Sequence, residues 1–260
     1  MKLHIFVIGI VLTMSAECFA QRDATDNKAE QHIFPQFAHG RLSDGTFYRS
    51  TLMVYNPDAR SNECLWGFWT SGQEPQFVSH AGQVGYLEEV FTIAPGQWGV
   101  FTSTGEQPLA VGHATLQCDY PMVAQVLFSF YDRNDFKLSE ATVFSAPAGK
   151  TVALIADQRN GVRLGIAMAG TFVGYFGVDF ELTATSVDGS VIGRATVSKP
   201  GTGNVARFLD DLIPATRNRM AVVSIKATGS SLASYLPVYL IGLRYTGGVF
   251  TTIPAMIVVP

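Results

Sequence analysis

The sequence predicts an all-β protein, two antiparallel β-sandwich domains in tandem related by internal duplication, with one short helix in the second. Three observations carry this. From His32 onward, short runs rich in Val, Ile, Phe, Tyr and Thr recur between Gly, Pro, Asn and Asp, and none keeps a 3.6-residue period. The second half of the chain repeats features of the first. Two cysteines, Cys64 and Cys118, lie within two of the first-half runs.

The runs that read as strands are Tyr48–Tyr55, Cys64–Thr70, Val111–Cys118, Val123–Tyr131, Val178–Ser186, Val191–Ser198, Met220–Ala227, Leu236–Tyr245 and Phe250–Val259. Regular short strands with turn signals between them suit Ig-like sandwiches of about seven strands each. Val205–Leu212 reads as a one- or two-turn helix, with Phe208, Leu209 and Leu212 on one face and Pro214 ending it.

The repeat is clearest at the ends of the two halves. The segment from Val126-Leu127-Phe128 to Ala146-Pro147 aligns without a gap onto Tyr239-Leu240-Ile241 to Val259-Pro260. Pro95-Gly96 recurs as Pro200-Gly201. A repeat of this length is a whole domain, so the boundary is placed at Ala146–Lys150, giving domains at 32–147 and 148–260. The alignment sets Asp132-Arg133-Asn134-Asp135 against Tyr245-Thr246-Gly247-Gly248. That favours a tight turn over a calcium loop.

Residues 1–20 read as a secretory signal peptide. Lys2 supplies the positive start, and Ile5 to Met14 are apolar apart from Gly9 and Thr13. Cys18 and Ala20 place small side chains before a cut at Gln21. Acylation of Cys18 is the alternative, with Glu17 set against it. Residues 21–31 carry almost no apolar side chains and read as a flexible tail. The expected destination is the periplasm or the extracellular medium.

Without Lys2 and Glu17, the 18 Lys+Arg and 21 Asp+Glu become 17 and 20, a net charge of −3. This mild acidity, with no basic stripe, excludes nucleic acid as the expected partner. No apolar run after the leader reaches the roughly 20 residues a membrane helix needs, so an integral membrane protein is not expected. Two cysteines in an oxidising compartment read as a disulfide, with two buried thiols as the alternative. A bridge closing so long a loop contributes roughly 4 kcal/mol by chain entropy.

The second half resembles a module of exported bacterial proteins of unknown function, found in tandem with other Ig-like domains. The resemblance rests on Gly165–Ala169, Ala206–Pro214, Pro237–Arg244 and Phe250–Pro254 in that order. In the first half, Met53-Val54-Tyr55-Asn56-Pro57 matches the module's strand ending in Asn-Pro, where the second half has Ala169-Gly170. The resemblance implies export and a sandwich fold, and supplies no catalytic residues.

If Cys64 and Cys118 bridge, both point inward, and strand alternation places Trp66, Phe68, Ala114 and Leu116 in the core. Leu65, Trp69, His113, Thr115 and Gln117 then face out. No catalytic constellation emerges: Glu88 and Glu89 are adjacent and diverge on a strand, and no Gly-x-Ser-x-Gly elbow occurs. The histidines have no ligand spacing, so no metal or cofactor is expected. Asp210 and Asp211 read as a solvated face. Binding remains, to a protein or cell-surface partner, or to polysaccharide. The candidate ligand surface is Trp69, Trp98, Tyr86 and His113, with the aromatics as a platform for sugar rings. Val238 and Leu240, placed outward by the alignment, are the candidate domain interface.

Overall fold

The computed structural model describes residues 30–70, 88–170, 178–199, 203–229 and 237–258. The leader, most of the tail and Tyr86 lie outside these residues. The first half holds β1 (Glu30–Arg41), β2 (Phe47–Tyr55), β3 (Asn62–Thr70), β4 (Glu88–Ile93), β5 (Trp98–Thr102), β6 (Ala110–Cys118), β7 (Val123–Tyr131) and β8 (Lys137–Phe144). The second holds β9 (Thr151–Asp157), β10 (Arg163–Gly170), β11 (Val178–Thr185), β12 (Val191–Lys199), β13 (Gly203–Phe208), α1 (Leu209–Leu212), β14 (Met220–Gly229), β15 (Val238–Thr246), β16 (Val249–Pro254) and β17 (Met256–Ile257). The protein is all-β, its sheets antiparallel.

Four layers result. Sheet I runs β4-β3-β6-β1 and sheet II β5-β2-β7-β8. Sheet III runs β13-β10-β15-β16 and sheet IV β12-β11-β14-β9-β17. Six pairings of the first half recur in the second with each strand number raised by eight: β1·β6, β3·β4, β3·β6, β2·β5, β2·β7 and β7·β8. The halves differ at their first strands. β1 bends at Gly40 and pairs its last two residues with β2, joining sheets I and II. Gly40 has φ 101°, and a Cβ there would sit 2.4 Å from the carbonyl oxygen of Pro108, so the corner requires glycine. In the second half β9 gains β17 on its free edge instead.

Each half buries a core between its two sheets. Trp66, Phe68, Leu116 and Phe34 of sheet I meet Leu52, Val54, Val126 and Val143 of sheet II. Val152, Leu154, Leu182, Val223 and Ile225 of sheet IV meet Leu164, Ile166, Met168, Val238 and Leu240 of sheet III. The Cys64–Cys118 disulfide is formed. Its cysteines are register partners on β3 and β6, both fully buried. The bridge therefore staples neighbours within one sheet, unlike the bridge between sheets that marks antibody domains.

The two halves pack face to face. The far side of sheet III carries Ala167 and Ala169 on β10 and Tyr239 and Ile241 on β15. Ala169 and Tyr239 pack with Ile33 and Ala146, while Ala167, Ile241 and Phe250 join the first-half core. The rings of Phe250 and Phe128 lie 4.9 Å apart. Asn204 of β13 donates from Nδ2 to the carbonyls of Pro35 (3.1 Å) and Gly112 (2.8 Å), where a bulge in β1 breaks its pairing with β6. The segment 146–149 is tied down at both ends. The Ala146 N–H reaches the Ile33 carbonyl, and Gly149 and Val238 exchange both backbone bonds.

Two expectations need correction here. Val238 and Leu240 do not face the other half. Both are buried in the second half's own core, and the interface uses the alternate residues Tyr239 and Ile241. The gap-free alignment keeps the hairpin register, mapping Phe128↔Ala141 onto Ile241↔Pro254, but places β15 one residue out of step against its sandwich. A one-residue slip exchanges the faces of a strand. Also, only Leu209–Leu212 of the expected helix is helical, because Gly203–Phe208 pairs with β10 as β13.

Replacing Asn204 by Ala strands two buried carbonyls, each costing about 1–3 kcal/mol. The Asn204→Ala variant is expected to lose about 3 kcal/mol of unfolding free energy in urea titration, with the disulfide intact.

Candidate functional site

The outer face of sheet II carries an uncovered apolar surface that the register orders into rows. Trp98, Tyr55 and Val123 stand opposite one another across β5, β2 and β7. The next row is Val100, Met53, Gln125 and Phe144. Trp98 is 69 % exposed, and Tyr55, Val123, Val100 and Phe144 are also exposed. All seven are uncharged side-chain types. Gln125 leans over its row, with its Nε2 3.7 Å from the Met53 sulfur.

The local chain holds this row in place through Asn56, which is fully buried. Its Nδ2 donates to the carbonyls of Arg60 (2.8 Å) and Ile93 (3.0 Å), and its Oδ1 accepts from the Asp58 N–H. Its backbone bonds Gln97 and Gly96 in the turn before β5. One asparagine thus fixes both the exit of β2 after Tyr55 and the entry of β5 at Trp98. The Asn-Pro step seen in the sequence is this clamp.

Further along the same face the chemistry changes. Thr51 and Thr102 share a hydroxyl bond of 3.0 Å. Beyond them Phe47 and Tyr131 stack at 5.0 Å, with Arg49 over both rings, Arg41 over Phe47 and Lys137 over Tyr131. These cations are partly engaged: Arg49 pairs with Asp135 at 2.9 Å and Lys137 with Glu140 at 2.5 Å. The Lys137 hydrogen bond, then that of Ser129, holds the Glu140 carboxyl below its ordinary value. Sheet II therefore presents an apolar end and a cationic end.

The remaining candidates do not converge on this face. Trp69 lies on sheet I, half-buried, and donates from its ring N–H to Thr115 Oγ1 at 3.1 Å. His113 was expected to be exposed and is 2 % exposed. Strand alternation puts it on the outer face of sheet I, as read from the sequence, but sheet III covers that face, and Asn204 bonds Gly112 beside it. The Trp69 and His113 rings stack at 6.5 Å. Tyr86 falls outside the described residues. No known family model, curated protein or solved structure matches this chain.

A second polar cluster was not legible in the sequence as such. Asp210 is 5 % exposed, and its carboxylate is gripped by Arg163 (2.9 Å) and Arg217 (3.2 Å). Arg163 also pairs with Asp211 at 2.8 Å. The Arg163 guanidinium lies 3.8 Å over the Phe208 ring. Behind it Gln158 accepts from the Leu164 N–H and donates to Thr216 at both its carbonyl and its hydroxyl. Together they line an open cleft of about 380 Å³. Burial pushes the Asp210 carboxyl up, but the hydrogen bond and charge of Arg163, then Arg217, outweigh it, so it ends below 3.8. Such a carboxylate stays ionised and is a poor general acid or base near neutral pH. The cluster clasps the β9–β10 connection, which passes between sheets IV and III, to α1.

A carboxyl depressed in the folded state stabilises fully above its unfolded pKa and loses that contribution as pH falls through the folded value. Asp210→Asn is therefore expected to cost about 2 kcal/mol at neutral pH. Thermal unfolding followed against pH should show the gap to wild type closing as pH drops below 3.8.

Proposed function

We propose that this is an exported, non-catalytic β-sandwich protein that works through a surface, as a binding, adhesion or structural module of the cell envelope or the medium. The leader-like start of the sequence and the buried disulfide support export. The observation that carries the binding reading is the row Trp98, Tyr55 and Val123 with Val100 and Phe144 beside it, apolar and open to solvent. A patch of this kind marks an interaction site. Trp and Tyr are the side chains most enriched at interface hot spots. The matching face of sheet III is covered by the first half, whereas among the described residues the sheet II face is open.

The photo-crosslinker p-benzoyl-phenylalanine placed at position 98 of the exported chain, in its own cells, should yield a discrete protein adduct. The same probe at position 187, on the exposed β11–β12 turn, should yield none. Equal labelling at both positions, or none at either, overturns the reading.

A second reading, polysaccharide binding, draws on one observation: the Trp98 and Tyr55 side chains are adjacent, exposed and on a sheet face. Among the tryptophans, Trp66 is buried and Trp69 half-buried, so Trp98 dominates any solvent-sensitive fluorescence. Titration with envelope or plant polysaccharides should shift emission in the wild type and not in Trp98→Ala. An unmoved spectrum across the panel removes this reading.

A further inference from the structure

The chain already contains one sheet-on-sheet contact between its halves, and the strand order shows what kind it is. Part of it stacks the outer face of sheet I on the outer face of sheet III through Ile33, Ala169, Tyr239 and the Asn204 bonds, while Ala167, Ile241 and Phe250 of the same sheet III face join the first core and β16 bonds β8. Sheet III occupies in the second half the place of sheet II in the first, and sheet IV the place of sheet I. The internal contact thus joins an outer face of the β1·β6 kind to an outer face of the β2·β7 kind. Among the described residues one face of each kind remains without a partner, on sheets IV and II.

Both remaining faces carry the side chains such a contact uses. On sheet II they are the two rows led by Trp98 and Val100. On sheet IV, Ile155, Val222, Thr185 and Val191 stand in register across β9, β14, β11 and β12, with Met256 opposite Ala153 in the next row. Ile155, Val222, Val191 and Met256 are exposed. Arg194 stands in that next row and Asp157 in the row on the other side, and the charged pair Lys226–Glu181 comes two rows further along.

We infer that the partner of the sheet II face is the sheet IV face of a second copy of this chain, so that copies add head to tail by repeating the face-on-face part of the contact between the two halves. This rests on the surface reading above and names its occupant. The two faces differ, so the interface is heterologous. It closes only as a ring and otherwise extends as a filament. One copy satisfies its neighbour and keeps a free face of each kind at the ends.

Sedimentation velocity of the mature chain over a concentration series tests this. The wild type should pass from monomer through dimer to larger species. Trp98→Glu on sheet II and Val222→Glu on sheet IV, both at exposed positions, should each be monomeric with wild-type circular dichroism. Mixed one to one, the two variants should form a dimer and stop there, since each supplies the face the other lacks. Tyr55→Lys and Ile155→Lys repeat the design should either first variant misfold.

A wild type that stays monomeric throughout overturns the inference, as does a variant that assembles like the wild type. Dimers of one variant alone would mean a face pairing with itself and also overturn it. A monomeric wild type whose position 98 still crosslinks to a different protein defeats this inference but leaves the surface reading standing. A monomeric wild type with no adduct defeats both.

Discussion

Sheet III is buried on both faces, and the rest of the molecule is arranged around that constraint. Its inner face closes the second core with Leu164, Ile166, Met168, Val238 and Leu240. Its outer face lies against the first half through Ala167, Ala169, Tyr239 and Ile241. A strand covered on both sides cannot alternate apolar with polar, and reads as a continuous apolar run. β10 and β15 do so, with Ala on the outer positions of β10 so that the facing strand β1 approaches closely. Because one sheet serves both cores, the halves are not independent beads. A packing fault on either face of sheet III reaches both sandwiches.

Stacking sheets this closely brings backbone polar groups into apolar surroundings, and the chain meets them with buried amides. Where the bulge in β1 interrupts the ladder to β6, Asn204 arrives from the other half to take the carbonyls of Pro35 and Gly112. Where β2 ends under the β4–β5 turn, Asn56 takes those of Arg60 and Ile93. Ser50 Oγ does the same between sheets, accepting from the Ala38 N–H and donating to the Ala38 carbonyl. Each group sits where strand pairing fails, and an unmet buried carbonyl costs as much as a lost core methyl or more. The asparagine of the Asn-Pro step and Asn204 are thus fold determinants. They look like loop residues in sequence only because their partners are far away.

That distinction explains what the sequence could and could not disclose. Alternation within a strand is a local signal, and it correctly put Cys64, Trp66 and Phe68 on one face with Leu116 and Cys118 opposite. What lies above a face is not local. His113 was assigned the right face and the wrong exposure, because the covering strand β13 is some ninety residues away. Val238 and Leu240 were assigned the wrong face because both faces of β15 are apolar, leaving the run without a parity to read. Asp210 resembled any surface acid beside Asp211. Its burial depends on Arg163, in a different strand, reaching over Phe208. The aromatic row needed three strands to be placed in register, and the sequence offered Trp98 without saying that Tyr55 stood beside it.

An exposed Trp beside an exposed Tyr on a sheet face adds little to the stability of an isolated chain, because neither ring is removed from water. It also invites non-specific association, which soluble proteins limit by keeping such patches small. Here the charged and cation-covered end of sheet II begins only beyond Thr51 and Thr102, so the face is graded, apolar near the Asn56 clamp and ionic at the other end. A graded face fixes direction as well as contact, since a partner laid on it the wrong way round would bury Arg49 and Lys137 against hydrocarbon. On sheet IV the row of Ile155, Val222, Thr185 and Val191 lies between Asp157 on one side and Arg194 on the other, so the direction of any partner is set by the grading of sheet II.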